Sequence, residues 1–314
     1  MDKTRENFKN PKLTIYADSG GYQIATLGKR VRAIMDVLHW QENIAHVGFT
    51  VDVPPHTFNN GNYTRDQFLK CMRKSNISAD LMWRFKQTKI ELWGVIQGRT
   101  DEECELWHKD LIKDHEFDGY CFSLSTHKSK YNLPYIEQLE FAKTIPKRIH
   151  FFGYSDNIFA LTLAKFSQLM KQTYTYDSST STIGDRYAKY IHPETFKHIS
   201  FSLKERPLDR LPCSCPVCCK NSVTDLRYNP TIINLHNLYF KIKFCEFANL
   251  VAQNDDLFLY ILQKVIHRNS QYKKEVISKI LKLLYGKNIP VIPNQLDEKD
   301  VPPAGKESIF WNII

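Results

Sequence analysis

The sequence contains no long apolar run. No segment approaches the roughly eighteen consecutive apolar residues of a membrane-spanning helix. The first residues, Met-Asp-Lys-Thr-Arg-Glu-Asn, lack the apolar core of a secretory signal. Internal repeats and low-complexity tracts are absent as well. We therefore expect a cytoplasmic protein with no membrane partner.

The composition is that of a folded, basic protein. The chain has 314 residues, 42% of them apolar, which is enough for one large domain or one domain with an appendage. Its formal net charge is +9, and the Lys and Arg residues are spread along the whole chain. Such a charge favours an anionic partner, for example a nucleic acid.

Short β-rich runs alternate with helical patterns in the first half of the chain. The predicted strands are 13–17, 47–53, 91–96, 117–124, 148–154 and 172–176, and the predicted helices are 65–85, 101–114, 135–144 and 158–170. This alternation predicts a parallel sheet covered by helices, either doubly wound or arranged as a β/α barrel.

Each of the six predicted strands ends in, or is followed by, polar or glycine residues, for example Asp18, Asp52, Gln97 and Asp177. In a β/α barrel the C-terminal strand ends carry the chemistry, whereas a sheet without a site needs only polar turns there. We therefore predict the α/β class, as a TIM-type (β/α) barrel. Six strands are two short of a full barrel, so the barrel is expected to be incomplete at the N-terminus.

Three of the eight cysteines form a knuckle, Cys213-x-Cys215-x-x-Cys218. Zinc takes four such ligands in structural sites, and His236 is the predicted fourth, with Cys219 and His198 as alternatives. A closed set of four ligands leaves no position for water, which predicts a structural rather than a catalytic Zn²⁺. The scattered cysteines are expected to fill the core as small apolar side chains; they are Cys71, Cys104, Cys121 and Cys245.

The strand and helix alternation ends near residue 200, where the cysteine-rich segment, long helices and a Pro-rich tail follow. We predict a catalytic barrel over 1–205, a zinc-binding segment over 206–245 that packs on the barrel, and C-terminal helices with a tail over 246–314.

Several of these segments together resemble the tRNA-guanine transglycosylases. The resemblance is carried by Asp18-Ser-Gly-Gly-Tyr-Gln, Val95-Ile-Gln-Gly, Phe117-Asp-Gly-Tyr, Tyr176-Asp-Ser, and the knuckle followed by Leu235-His-Asn-Leu. It runs from about residue 13 to about residue 245. The sequence is most similar to the archaeosine-type branch and to phage and bacterial relatives that place 7-deazaguanines in DNA. A phage-encoded member would act in the host cytoplasm.

The resemblance implies a pentosyltransferase that exchanges a base through a covalent aspartyl-sugar intermediate. It assigns the nucleophile to Asp177, with Asp185 as the alternative, and proton transfer to Asp18.

The resemblance also implies a pocket for a guanine-shaped base. Asp52 and Gln97 would read the polar edge of the base, and both could instead be simple strand caps. Ser19 and Gly98 belong to the same substrate-binding loops. Tyr22 and Phe152 would sandwich the flat ring, although Phe152 suits an ordinary core position equally well.

The sequence departs from the family pattern at three places. Ser123-Leu-Ser-Thr-His replaces a Gly-Gly-Leu segment, and Arg99 replaces a glycine, which puts a bulky cation by the predicted pocket. The family's first two barrel strands have no counterpart before Asp18. A partner chain or a homo-oligomer is one way in which such a barrel would close.

The nucleic-acid substrate is predicted to be DNA. Archaeosine-type enzymes carry additional C-terminal RNA-binding domains that this sequence lacks, and this favours DNA over tRNA. The incoming base would be a 7-deazaguanine such as preQ0. The alternatives are a tRNA-guanine transglycosylase, a non-catalytic zinc-stabilised partner subunit, and a zinc-knuckle protein that only binds nucleic acid.

Overall fold

The computed structural model describes residues 13–20, 33–55, 62–123, 134–154, 156–177, 189–193, 196, 198–200, 211, 213–266 and 270–286. The chain divides into two compact units. The first comprises Met1–Phe152 and Thr173–Tyr176, and the second comprises Gly153–Gln172 and Asp177–Ile314. The domain boundaries predicted near residues 205 and 245 stay predictions.

The six strands of the first unit form one parallel sheet, in the order in which they occur along the chain. They are β1 (Tyr16–Ala17), β2 (Val47–Phe49), β3 (Glu91–Ile96), β4 (Gly119–Ser123), β5 (Arg148–Phe152) and β6 (Tyr174–Tyr176). In the described part of this unit, the strands from β1 to β5 are connected in turn by α1 (Ile34–Ile44), α2 (Arg65–Phe85), α3 (Asp101–Leu111) and α4 (Pro134–Ala142).

The sheet is curled. Because parallel crossovers are nearly always right-handed, connections that all advance in one direction put their helices on one face of the sheet. Tyr16 of β1 and His150 of β5 meet on the other face, where their ring centroids are 5.7 Å apart. Four strand spacings in a flat sheet would separate them by about 19 Å. The predicted α/β fold is thus confirmed as a six-stranded half-barrel, consistent with an incomplete TIM barrel.

Aromatic and aliphatic side chains fill the concave face of the sheet. Phe49, Trp93 and Val95 are buried there, and Tyr16 packs against them. Gly119 is the register partner of Trp93, and a Cβ at Gly119 would lie 2.6 Å from the indole ring. Glycine at this position therefore makes room for the largest side chain of the sheet.

Local sequence signals explain where the helices begin. Thr64 and Gln67 form a reciprocal capping box at the start of α2, which satisfies backbone N–H groups that have no partner within the helix. Thr100 caps α3, whose first turn carries three acidic residues that favour the positive end of the helix dipole. Trp107 of α3 donates to Val95 O across 2.9 Å and so ties the helix to β3.

The predicted second strand is longer than the observed β2. β2 ends at Phe49 because the chain beyond it turns its backbone toward α2. Val51 N contacts the Met82 sulfur at 3.3 Å, and Val53 N donates to Ser75 Oγ across 2.8 Å. Helix α2 thereby holds residues 51–53 as a loop.

The second unit is mainly helical. It contains α5 (Asn157–Met170), α6 (Val223–Tyr228), α7 (Pro230–Val251), α8 (Asp255–Val265), α9 (Ser270–Tyr285), and the antiparallel pair β7 (Lys189–Ile191) and β8 (His198–Ser200). Helix α7 buries Phe240, Phe244 and Phe247. The buried Lys165 of α5 donates to Ala252 O and pairs with Asp255, each across 2.7 Å.

No helix in the described part of the chain combines the length and the apolar character that crossing a membrane requires.

Candidate active site and metal centre

Polar side chains meet at the C-terminal ends of β1, β2 and β3. Asp18 and Ser19 follow β1, Asp52 lies three residues after β2, and Gln97 follows β3 directly. Gln97 Nε2 donates to Asp52 Oδ2 across 2.6 Å, and Ser19 Oγ donates to Asp52 Oδ1 across 3.5 Å. The structure therefore brings together these predicted residues of the first unit.

Asp52 lies in an unusual electrostatic environment for a carboxyl group. Its side chain is buried, whereas that of Asp18 is exposed. Burial raises the pKa of Asp52 to about 7, the donors Gln97 and Ser19 oppose the rise, and the charge of Asp18 adds to it. Asp52 is thus poised to change its charge near neutral pH, and a ligand that donates hydrogen bonds to its carboxylate would favour the ionised form.

The loop after β3 is held close to its neighbours. A Cβ at Gly98 would lie 2.7 Å from both the backbone nitrogen and the sulfur of Cys104 at the start of α3. The buried Gln138 of α4 donates to Ser123 O across 2.8 Å and to Gly98 O across 3.5 Å, so it bridges the ends of β3 and β4. Gln138 was not predicted as a site residue, because its partners are backbone carbonyls that carry no sequence signature.

Arg99 has a specific set of partners. Its guanidinium lies 3.6 Å from the centroid of the Tyr63 ring, and Glu103 pairs with it at 3.7 Å. Glu103 Oε2 also accepts from the Tyr63 hydroxyl across 2.7 Å and from Arg99 N across 2.8 Å. The charge of Arg99 is therefore compensated by a neighbouring acid and an aromatic face.

Phe152 lies at the end of β5 and is half-buried. Its ring packs edge-on against Phe49, with centroids 4.6 Å apart, and against His150 at 5.0 Å. Phe152 thus extends the aromatic filling of the concave face, and its stacking on a base stays a prediction.

Asp177, the predicted nucleophile, belongs to the second unit and is exposed. It follows β6 directly in the chain. Gly153 N donates to Asp177 Oδ1 across 2.8 Å. Three other sequence assignments, Tyr22, Asp185 and the segment after Ser123, lie outside the described residues.

Cys213, Cys215, Cys218 and His236 form a cluster in the second unit that could hold a metal ion. Their ligand atoms all lie within 4.8 Å of one another. His236 Nδ1 lies 3.4 Å from Cys215 Sγ and 3.3 Å from Cys218 Sγ. Tetrahedral zinc with Zn–S of about 2.3 Å and Zn–N of about 2.0 Å requires a sulfur-to-nitrogen separation of roughly 3.5 Å. These two separations therefore fit a tetrahedral zinc ion.

Hydrogen bonds around the cluster prepare its ligands for metal binding. His236 Nε2 lies 2.9 Å from Ile191 O, and only a protonated nitrogen can donate to this carbonyl. Nδ1 consequently keeps its lone pair for the ion. Hydrogen bonds from Cys213 and Cys218 lower the pKa of Cys215, so this sulfur can bind as a thiolate.

Two residues next to the cluster complete its surroundings. Tyr190 stacks on the imidazole of His236 with ring centroids 3.9 Å apart, and its hydroxyl lies 3.5 Å from Cys218 Sγ. Asn237 accepts from Ile191 N across 3.0 Å and donates to Lys189 O across 2.8 Å. Together these contacts fasten α7 to β7. Tyr190 was not predicted as a neighbour of the cluster, because it lies far from the knuckle along the chain.

The structure separates one alternative ligand, Cys219, from the cluster. Cys219 is exposed, and its thiol donates to Ser214 O across 3.0 Å, so it points away from the cluster. The side chain of His198 lies outside the described residues. His236 is the fourth member of the cluster, as predicted.

The chain matches no protein-family model, but it is similar to curated archaeal enzymes. The tRNA-guanine(15) transglycosylase of Methanococcus aeolicus is 26% identical over 238 residues, which cover 72% of this chain and 35% of the relative. The enzyme of the same name from Methanosarcina mazei is 24% identical over 251 residues, 74% of this chain and 46% of the relative. That from Saccharolobus solfataricus is 22% identical over 295 residues, 86% of this chain and 54% of the relative.

The similarity to these enzymes supports a relationship between this chain and the tRNA-guanine transglycosylase superfamily. The relatives are pentosyltransferases that exchange bases. This chain matches roughly a third to a half of their length. Each of the three is named for a tRNA substrate, and none is named for DNA.

Proposed function

We propose that this protein is a base-exchanging guanine transglycosylase that acts on tRNA. The main support is the group of polar side chains at the C-terminal strand ends of a parallel half-barrel, in a chain similar to enzymes named for this reaction. The sequence favoured DNA because of domain content alone. The names of the relatives favour tRNA, and DNA becomes an outcome of the test.

In the proposed reaction, Asp177 is the nucleophile and Asp18 moves protons. A carboxylate oxygen of Asp177 attacks C1′ of the target nucleotide while the bond from C1′ to the base nitrogen breaks. The electron pair leaves with the base, which takes a proton from Asp18. The incoming base returns that proton to Asp18 as it displaces Asp177 from the sugar. An exposed position suits Asp177, because the target nucleotide must be turned out of its stack to reach it.

Asp52 and Gln97 are proposed to read the base. A guanine-type ring offers N–H donors at N1 and N2, which an ionised Asp52 can accept, and an O6 acceptor, to which the Gln97 amide can donate. Gln97 already donates to Asp52, so the two groups lie side by side and would face one edge of the base together. The carboxylate of Asp52 lies in a buried environment, where a mismatched polar edge is costly.

Zinc is proposed to have a structural role. The cluster joins the knuckle to α7, and α7 is fastened to β7 by His236 and Asn237. Because four protein ligands close the coordination shell, we expect the ion to hold these elements together and to take no part in base exchange.

The direct test is exchange of radiolabelled guanine into unmodified tRNA and, in parallel, into duplex DNA. We expect label in tRNA with the wild-type protein and none with Asp177→Ala. The control is Asp114→Ala, which changes an exposed acid after α3 and should leave exchange unchanged. Label in DNA alone would restore the DNA-modifying interpretation. Salt-dependent tRNA binding without exchange would support a binding subunit instead.

A further inference from the structure

The loop after β5 makes a direct contact with the proposed nucleophile. The backbone N–H of Gly153 donates to Asp177 Oδ1 across 2.8 Å. Gly153 has a φ of +77°, in the left-handed region that L side chains rarely adopt. The direction of this N–H therefore depends on a backbone conformation that glycine adopts without strain.

The same loop is anchored by the helices of the second unit. Asp156 caps α5 by accepting from Ile158 N across 2.8 Å, and Tyr154 stacks on Phe159 with ring centroids 4.3 Å apart. These contacts fix the chain just beyond Gly153.

A half-buried cation from α7, Lys241, adds a further anchor. Lys241 Nζ donates to Asn157 Oδ1 across 2.8 Å at the first turn of α5. Burial lowers the pKa of Lys241 to about 8, and the charge of Asp156 opposes this shift. A rigid support of this kind is what an N–H group needs if it is to hold a side chain in one orientation.

We propose that the Gly153 backbone N–H is the positioning group for Asp177 in the exchange reaction. This inference rests on the proposed function. A donor at one carboxylate oxygen fixes the plane of the group and favours its ionised form, which is the form that attacks C1′. The new bond joins an Asp177 oxygen to C1′, and the electron pair of the broken glycosidic bond leaves with the base, which Asp18 protonates.

Three substitutions separate positioning from backbone strain. Gly153→Ala keeps the N–H but resists the left-handed conformation, whereas Gly153→Asn tolerates that conformation better. Gly286→Ala is the matched control: Gly286 has a φ of +61° at the end of α9, and an added Cβ there meets nothing within 4 Å. The rate of covalent trapping on tRNA is measured for each variant as a function of pH, together with its melting temperature.

We expect Gly153→Ala to slow trapping by roughly ten- to a hundredfold, because small misplacements of a reacting group have effects of that size. The acid limb of its pH profile should move to higher pH, since the ionised carboxylate loses a donor, while KM for tRNA changes little. Gly153→Asn should recover most of the rate, and Gly286→Ala should trap at the wild-type rate.

Two results would overturn the inference while leaving the proposed function intact. One is a wild-type rate and pH profile in Gly153→Ala. The other is an equal loss of rate in Gly153→Ala and Gly286→Ala, because backbone strain would then explain it. A wild-type protein that traps no tRNA would instead overturn the proposed function and this inference with it.

Discussion

At the scale of single residues, Asp52 shows a conflict between stability and recognition. A carboxyl group that is only 8% exposed is costly to ionise, and Gln97 and Ser19 offset only part of that cost. Above its folded-state pKa of about 7 the protein carries this cost in full. A side chain kept in such a position is better explained by a ligand that needs its charge than by the fold.

Replacing Asp52 by asparagine should stabilise the protein, and more so at higher pH. Because the folded-state pKa lies above the value of 3.8 for an unperturbed group, the unfolded chain gives up this proton first, and stability falls as pH rises from about 4 to 7. The amide of an asparagine at this position cannot ionise. Between pH 5 and pH 8 we expect the advantage of Asp52→Asn in the free energy of unfolding to grow by on the order of 2 kcal/mol.

Urea unfolding at these two pH values measures the effect, with Asp114→Asn as the control for an exposed acid. An advantage that is the same at pH 5 and pH 8 would show that Asp52 ionises as readily in the folded protein as in the unfolded chain.

At the scale of secondary-structure elements, α7 is the central support of the second unit. It carries His236 of the metal cluster, Asn237, which hydrogen-bonds to β7, and the buried Phe240. It also carries Lys241, which donates to Asn157 of α5. An ion bound by the knuckle and by α7 would therefore stabilise the elements that α7 contacts. Metal-binding energy of this kind is folding energy.

Cys215→Ser should lose the metal and lower the melting temperature by on the order of 10 °C, because one of the four ligands is removed. Cys219→Ser should keep both, since Cys219 is exposed and lies outside the cluster. Metal content and thermal unfolding, each with and without a chelator, make the comparison. A structural role of the metal would be refuted if Cys215→Ser melted at the same temperature as the wild type and a chelator left the melting temperature of the wild type unchanged.

The sequence predicts a feature of an element best when the residues that determine the feature lie close to it along the chain. The strands β1 to β6 were predictable, because each is a short apolar run that ends in polar residues. The early end of β2 was not, because it depends on Ser75 and Met82 of the following helix. The knuckle and His236 were recognisable by spacing and context, whereas Tyr190 was not, since it lies 28 residues before Cys218 and has no motif of its own.

At the scale of the whole molecule, the first unit is a half-barrel of parallel strands with polar side chains at its C-terminal strand ends. The order of the parallel strands and the contact between Tyr16 and His150 establish the half-barrel. The meeting of Asp52 with Gln97 was expected from their places after neighbouring strands, and the structure brings them within 2.6 Å. The contact of Gly153 with Asp177 was not predictable, because it depends on a backbone dihedral angle and on a backbone donor that every sequence provides.

In the proposed reaction, Asp177 forms a covalent bond to the sugar of a tRNA nucleotide. The most direct measurement is mass spectrometry of the protein after incubation with unmodified tRNA, denaturation and digestion with nuclease and protease. We expect a nucleotide remnant on the peptide that contains Asp177, and this remnant should disappear when excess guanine is added before denaturation. An unmodified Asp177 peptide in a protein that exchanges guanine, or a remnant on a different residue, would show that Asp177 is not the nucleophile.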